Sequence, residues 1–335
     1  MPLLSKTRIR LLIALTAAIA LIATGLWLGM NTHTAPALAR KLPEAEGYLY
    51  LDLRPVRVVL TAKGATLPAI QRDAEYEAFV KETGFEFERD LEQAAIAIHN
   101  YEPAPGENGK VELQRRYSEF FAGKFDAPKL TEWLRKHSQT TEKYSDVDIY
   151  NIAYEGRTVR VALLDANMVA VSNTSSSAPM HSMIDAAAKS SFTLEGPAML
   201  RDHYANVPLA SAAWIIGSFK APDGKGPILP LPGGVDFTLP AGTVTVTSVG
   251  LPLNGGTGIE FKLQAITHSE QDAHALAETT GTFMQIFRTA STNTGGGDPD
   301  VKAFFESIQI SQEGTSTNFA AQAPVGFLKK IVSGK

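Results

Sequence analysis

Between Leu11 and Met30 the chain runs for twenty residues, LLIALTAAIALIATGLWLGM, without a charge. A helix of that length spans the ~30 Å hydrocarbon core of a bilayer. Lys6, Arg8 and Arg10 precede the run, and no acid occurs before Glu44. Basic flanks stay on the cytoplasmic side. Residues 1–10 therefore read as a cytoplasmic basic segment and 11–30 as a single transmembrane helix, with Trp27 at its outer interface. Residues 31–335 are expected on the periplasmic or extracellular side of a bacterial inner membrane. The alternative is a signal peptide, because Ala37-Leu38-Ala39 ahead of Arg40 offers a small-x-small cleavage site. Cleavage at Ala39 would leave a secreted or periplasmic protein. The apolar run exceeds the ~7 to 15 residues of a signal core, which favours the uncleaved anchor.

Composition narrows what the remainder can do. Four of the 31 Lys and Arg precede residue 41 and none of the 35 acids does, so the rest carries a net charge of about −8. That disfavours nucleic acid or an anionic lipid surface as the main partner. The absence of cysteine removes disulfides, thiolate nucleophiles, iron–sulfur clusters and Cys-ligated zinc together. Stability must come from a hydrophobic core, which 44% hydrophobic content allows.

Residues 31–43, with Pro36 and Pro43, read as a tether. Tyr48 to Leu53 alternates as a half-buried strand with Leu49, Leu51 and Leu53 on one face. Pro68 opens a helical stretch ended by Gly84. Ala94 to Asn100 and Tyr117 to Phe125 read as strands. Asp126-Ala-Pro128 starts a helix bearing Leu130, Trp133 and Leu134. Glu155-Gly156 marks a hairpin, and Pro179 opens a helix with the stripe Met180, Met183, Ile184 and Ala187. A similar order follows: a helix near 196–205, the strand AAWIIGSF, strands at Thr243 to Val249 and Ile259 to Ala265, a capped helix from Glu270 to about Arg288, a loop at 291–300, a hairpin at Glu313-Gly314, and a closing helix after Pro324. Residues 220–242 hold five Pro and five Gly, too many breakers for a regular element. The expected fold is α+β: after the anchor, a duplicated module of antiparallel sheet and packed helices, the first copy at 44–190 and the second at 191–335.

The segments Leu42-Pro43, Thr83-Gly-Phe-Glu-Phe-Glu-Arg-Asp90, Gly123-Lys-Phe-Asp126 and Asp165-Ala-Asn-Met-Val-Ala-Val171 carry a resemblance. In them the chain resembles uncharacterised bacterial envelope proteins with an N-terminal anchor and a duplicated α+β ectodomain. That resemblance implies architecture and brings no catalytic residue with it.

Chemistry is sparse in the pattern. His268, Glu270, Asp272, His274 and Glu278 form the tightest polar cluster, and His268, His274 and Glu278 are the candidates for a zinc or manganese site. Against it, Ala273, Leu276, Ala277, Thr280, Phe283, Met284 and Phe287 define the buried stripe of that helix. His274 and Glu278 fall nearly opposite, in solvent. Eight acids between Asp73 and Glu92 have no EF-hand spacing and read as a solvated face. His99, at a strand end, reads as a core or strand-edge histidine before a catalytic base. Nucleophile elbows, Walker loops, dinucleotide turns and zincin motifs are missing, so no catalytic residue and no cofactor is expected. The reading is a non-enzymatic, membrane-anchored envelope protein that binds or scaffolds an envelope protein partner, with Ile228, Leu229 and Leu231 as the candidate partner surface. The alternatives are a hydrolase-like enzyme with its site between the modules, and a periplasmic carrier of an apolar ligand. Polar residues of both modules in one deep cleft would favour the enzyme, and an enclosed apolar pocket the carrier.

Overall fold

Strand-forming alternation dominates the chain after residue 44, and helices enter where capping residues interrupt it. The computed structural model describes residues 33–62, 73–105, 110–191, 193–209, 211–220, 225–226, 228–231, 235–250, 258–293 and 299–324. Its elements run α1 (Ala37–Arg40), β1 (Gly47–Asp52), α2 (Leu53–Ala62), α3 (Ala74–Thr83), α4 (Phe87–Asp90), β2 (Leu91–Pro105), β3 (Val111–Gly123), α5 (Ala127–His137), β4 (Thr140–Tyr144), β5 (Val147–Tyr154), β6 (Arg157–Asp165), β7 (Met168–Ser172) and α6 (Ala178–Ala188). They continue with α7 (Ala198–His203), β8 (Ser211–Gly217), β9 (Ile228–Leu231), β10 (Val235–Thr238), β11 (Val244–Gly250), β12 (Ile259–Ile266), α8 (Glu270–Asn293), α9 (Pro299–Ser307), β13 (Gln309–Glu313) and β14 (Ser316–Ala323). The fold is mixed α and β around one large antiparallel sheet. Twelve strands take the order β13-β14-β12-β11-β8-β1-β2-β3-β7-β6-β5-β4, and β9 with β10 forms a separate ribbon.

Side-chain alternation gives this sheet two different faces. On the first, Tyr48, Tyr50, Ala95, Ala97, Phe120, Ala162, Ala170, Trp214 and Ile216 form the main core with Leu38 and Ala39 of α1, Met180, Met183 and Ile184 of α6, and Leu200 of α7. The alanines leave room for the helices to approach the sheet closely. On the second face, α3 and α5 cover one end through Phe79, Leu130, Trp133 and Leu134. The other end is covered by α8 through Leu276, which meets Ala265 and Leu239.

Several expectations are corrected. In β1 the buried side chains are Tyr48 and Tyr50, at 0% and 4% exposure, and Leu49 and Leu51 face the other way. A buried tyrosine must satisfy its hydroxyl; Tyr48 Oη accepts from the Ala45 amide at 2.7 Å and donates to the Pro43 carbonyl at 3.0 Å. Leu53 begins α2 instead of ending the strand. The expected tether is structured from α1 onward, with Ala35, Leu38, Ala39 and Leu42 in the main core. The breaker-rich segment does contain regular structure, because Ile228–Leu231 pairs with Val235–Thr238. Ribbons of two strands tolerate a proline such as Pro230 where a central strand does not. The described helix before Gly84 is capped by Asp73, whose side chain accepts from the Tyr76 amide at 2.7 Å, and the start expected at Pro68 lies outside the described residues. The stretch expected as a loop at 291–300 includes the end of α8 and the start of α9.

The two Glu-Gly turns are not equivalent. Counting outward with β1 and β8 each as the first strand of its half, Glu155-Gly156 joins the sixth strand, β5, to the fifth, β6. Glu313-Gly314 joins the fifth strand of the other half, β13, to the fourth, β14. The turn matching Glu313-Gly314 is the one at Asp165 to Met168 between β6 and β7. A cavity of about 530 Å³ is lined by residues of both halves, among them Glu44, His181 and Asp185 from the first and Gly196 and Pro197 from the second, but the sheet itself is unbroken where the halves meet. There β1 and β8 form a continuous ladder, Tyr48 opposite Ile216 and Tyr50 opposite Trp214. The anchor at 11–30 and the closing helix after Pro324 lie outside the described residues. Among the described residues no helix is long and apolar enough to cross a membrane.

Candidate apolar ligand site

A cavity of about 330 Å³ lies on the second face of the sheet, roofed by α3 and α5. Its floor is the alternating apolar set of four neighbouring strands: Ile152 and Tyr154 of β5, Val159 and Val161 of β6, Val169 and Val171 of β7, and Phe121 of β3. Its roof and walls are Phe79 of α3, Phe85, Phe87 and Phe125 from the connecting segments, and Leu130, Trp133 and Leu134 of α5. No lining residue is charged. Tyr154 is the one exposed residue of the lining, at 53%.

Local sequence explains this construction. Gly84 takes φ +74°, the left-handed conformation that ends α3 and turns Phe85 back under it. Thr83 Oγ accepts from the Phe85 amide at 3.2 Å and donates to the Phe79 carbonyl at 2.7 Å. Tyr76 Oη accepts from the Phe87 amide and donates to Glu88 Oε2, both at 3.0 Å. Gly123 lets β3 pass close to α4, since a Cβ there would lie 2.5 Å from the Asp90 carbonyl oxygen. The rings then lock edge to face, Phe79 with Trp133 at 5.1 Å between centroids, and Phe85 stacks on Phe125 at 4.7 Å. Outside, Lys136 of α5 meets Glu82 of α3 at 2.9 Å and holds that carboxyl below its ordinary range.

One charged residue borders this floor. Across the sheet a single row of paired residues runs Tyr150, Val161, Val171, Glu119, Ile96, Leu49, Ile215, Thr247, Leu263, Phe319 and Ile310. Glu119 is the only carboxylate in it, directly opposite the cavity-lining Val171 and two residues from Phe121. Burial alone pushes its carboxyl up to about 7, with no hydrogen bond or neighbouring charge contributing.

The residues singled out from sequence fall elsewhere. His274 Nε2 lies 3.3 Å from Glu278 Oε1, and both side chains are well exposed on α8. His268 is also exposed, and among the described residues no three metal-ligating side chains cluster. His274→Ala should leave the melting temperature within about 1 °C, as exposed substitutions do; a larger fall in a thermal melt would give that pair a structural role. Ile228 is 56% exposed on the β9–β10 ribbon, while the side chains of Leu229 and Leu231 lie outside the described set. His99 Nε2 is 2.8 Å from Ser118 Oγ, which continues to Ser172 Oγ at 3.1 Å and Thr174 Oγ1. Ser118 and Ser172 have zero exposure, and burial lowers the His99 pKa. This chain of hydroxyls satisfies polar groups inside the sheet and offers no accessible nucleophile. The acids of 73–92 serve as caps and local ion pairs, as Asp73 and the Arg89 contacts to Glu86 and Asp90 illustrate. What the sequence reading missed is the convergence of six of the sixteen phenylalanines between residues 79 and 125, five of which line the cavity.

No family model and no curated protein matches the chain. The solved structure of crystal form IV of TP0453 is similar with a TM-score of 0.42 and 10% identity, over 88% of this chain and 96% of that one.

Proposed function

We propose that this protein is a non-enzymatic, membrane-anchored envelope protein that binds an apolar chain in the cavity under α3 and α5. The observation that carries the reading is a cavity of about 330 Å³ whose lining has no charged side chain. That volume falls at the lower end of small-molecule pockets. Dry apolar cavities accept apolar guests, and each methylene removed from water contributes ~0.8 kcal/mol. The anchor at 11–30 would hold such a site on the periplasmic side, where hydrocarbon chains are at hand. The reading replaces the β9–β10 surface as the first candidate. If Ile228, Leu229 and Leu231 instead contact an envelope protein, changing all three to Ser should abolish crosslinking to it and leave the melt intact.

The same reading includes a duplication, on a different alignment from the one expected. Outward from the central pair, β1-β2-β3-β7-β6 matches β8-β11-β12-β14-β13. Helices α1 and α7 precede the first strand of each series and pack on the first face, while α5 and α8 follow the third strand and pack on the second. Coexpressed fragments 33–190 and 193–335 should reassociate across β1 and β8; fragments that never copurify would count against two separable copies.

Ligand binding is tested with N-phenyl-1-naphthylamine, an uncharged dye whose emission rises in apolar surroundings. The wild-type protein should enhance it and 1-decanol should displace it. Filling the cavity by Val161→Phe or Val169→Phe should weaken dye binding about tenfold, or ~1.4 kcal/mol, with the fold retained by circular dichroism. No enhancement, or equal enhancement in the filled variants, would sink the reading.

A further inference from the structure

We propose that Glu119 is the head-group residue of this cavity, so that its occupant is a single-chain amphiphile with a cationic amine head. The inference rests on the apolar-ligand reading and names the ligand class for the same site. Glu119 extends from the same face of β3 as Phe121 and pairs across with Val171, both of which line the cavity. Its other cross-strand neighbour is Ile96, and its diagonal neighbours are Ala94, Ile98, Val169 and Asn173. Among the described residues it has no ion-pair or hydrogen-bond partner. A carboxylate held among aliphatic side chains without a partner is costly, and that cost is offset when a donor is brought to it. Glu119 itself lies just beyond the lining, so a chain in the cavity with its head toward Val171 and Phe121 would bring that head to the carboxyl. An ammonium supplies three donors and a compensating charge. A carboxylate head would add like-charge repulsion beside the same partly buried group.

The experiment is dye displacement at pH 8 and physiological salt with three ten-carbon competitors: decylamine, 1-decanol and decanoate. In the wild-type protein decylamine should displace the dye at about one tenth of the decanoate concentration or less, a tenfold preference. Glu119→Gln should bring the two within about threefold of each other. A melt of that variant at pH 5, where the wild-type carboxyl is protonated, shows whether it is folded. Displacement by 1-decanol with no amine preference in the wild type would overturn this inference and leave the cavity reading standing. An amine preference unchanged in Glu119→Gln would overturn it as well. Displacement by none of the three would overturn both.

Discussion

A chain that begins at Arg40 should melt about 10 °C or more below one that begins at His33. The difference between them includes Ala35, Leu38 and Ala39, which are 6%, 8% and 0% exposed and belong to the main core. Removing a buried leucine side chain alone costs about 2 to 5 kcal/mol, and two buried alanines add to it. A total near ~5 kcal/mol is a large part of the ~5 to 15 kcal/mol that holds a typical domain together. The same cut would place a new charged terminus beside Arg40, whose Nη1 donates to the Leu194 carbonyl at 2.7 Å. It would also disturb Lys41, whose Nζ donates to the carbonyls of Ala186 and Ala187 at 3.1 and 3.2 Å, at the C-terminal end of α6. Cations there complement the helix dipole, so this contact ties α1 to α6 as well as to the sheet. Thermal melts of the two chains check the expectation. Equal melting temperatures would mean that α1 contributes nothing, and that cleavage at Ala39 is compatible with a stable product. A large deficit favours an intact N-terminal connection through Ala39, as the anchor reading requires.

Period and punctuation carried much of this fold, and the exceptions have physical reasons. The stripe on α8 was legible because one residue in three or four must face the sheet, and Ala273, Leu276, Thr280 and Met284 are indeed buried. The stripe on α6 followed from the same rule. In β1 the period was right and the face was wrong: leucine is the more hydrophobic residue, but Tyr48 and Tyr50 bury larger surfaces and Tyr48 finds hydroxyl partners in the turn before the strand. The segment at 35–42 carries too few residues for a periodic signal, so its burial depends on α6 and α7, which arrive about 140 residues later in the chain. The order of elements could suggest a repeat, yet an extra pair of strands, β4 and β5, displaced the alignment by one hairpin. The cavity was illegible for a related reason. Each of its aromatics reads locally as a core residue, and only the pairing of β5, β6, β7 and β3 brings their apolar side chains under the same two helices.

Between pH 4.5 and 7 Glu119 should cost the protein stability as pH rises, while His99, whose pKa burial lowers, contributes in the opposite direction. The ordinary carboxyl value is 4.5, and burial pushes this one up to about 7 in the folded chain. An acid with the higher folded value keeps its proton longer when folded than when unfolded. Below the unfolded value both states are protonated and the full stability is present. Through the interval only the unfolded chain releases the proton, so unfolding becomes easier with each step, and above the folded value the loss is complete. Each pH unit between the two values is worth about 1.36 kcal/mol, which for a half-buried group allows about 2 kcal/mol over the window. The corresponding fall in melting temperature is about 4 °C. In the sheet around the carboxyl Ile96, Val171, Ala94, Ile98 and Val169 carry no charge, Asn173 is neutral, Tyr117 and Phe121 flank it on β3, and no neighbouring charge contributes to its shift. Glu119→Gln has no proton to lose, so its melting temperature should rise relative to that of the wild type across the window and exceed it at pH 8. Melts at pH 5 and pH 8 on both proteins decide it. A variant that shows the same fall would place the titrating group elsewhere. If decylamine restores the wild-type melting temperature at pH 8 but leaves Glu119→Gln unmoved, the carboxylate that costs stability in the empty protein is the group that an amine head engages.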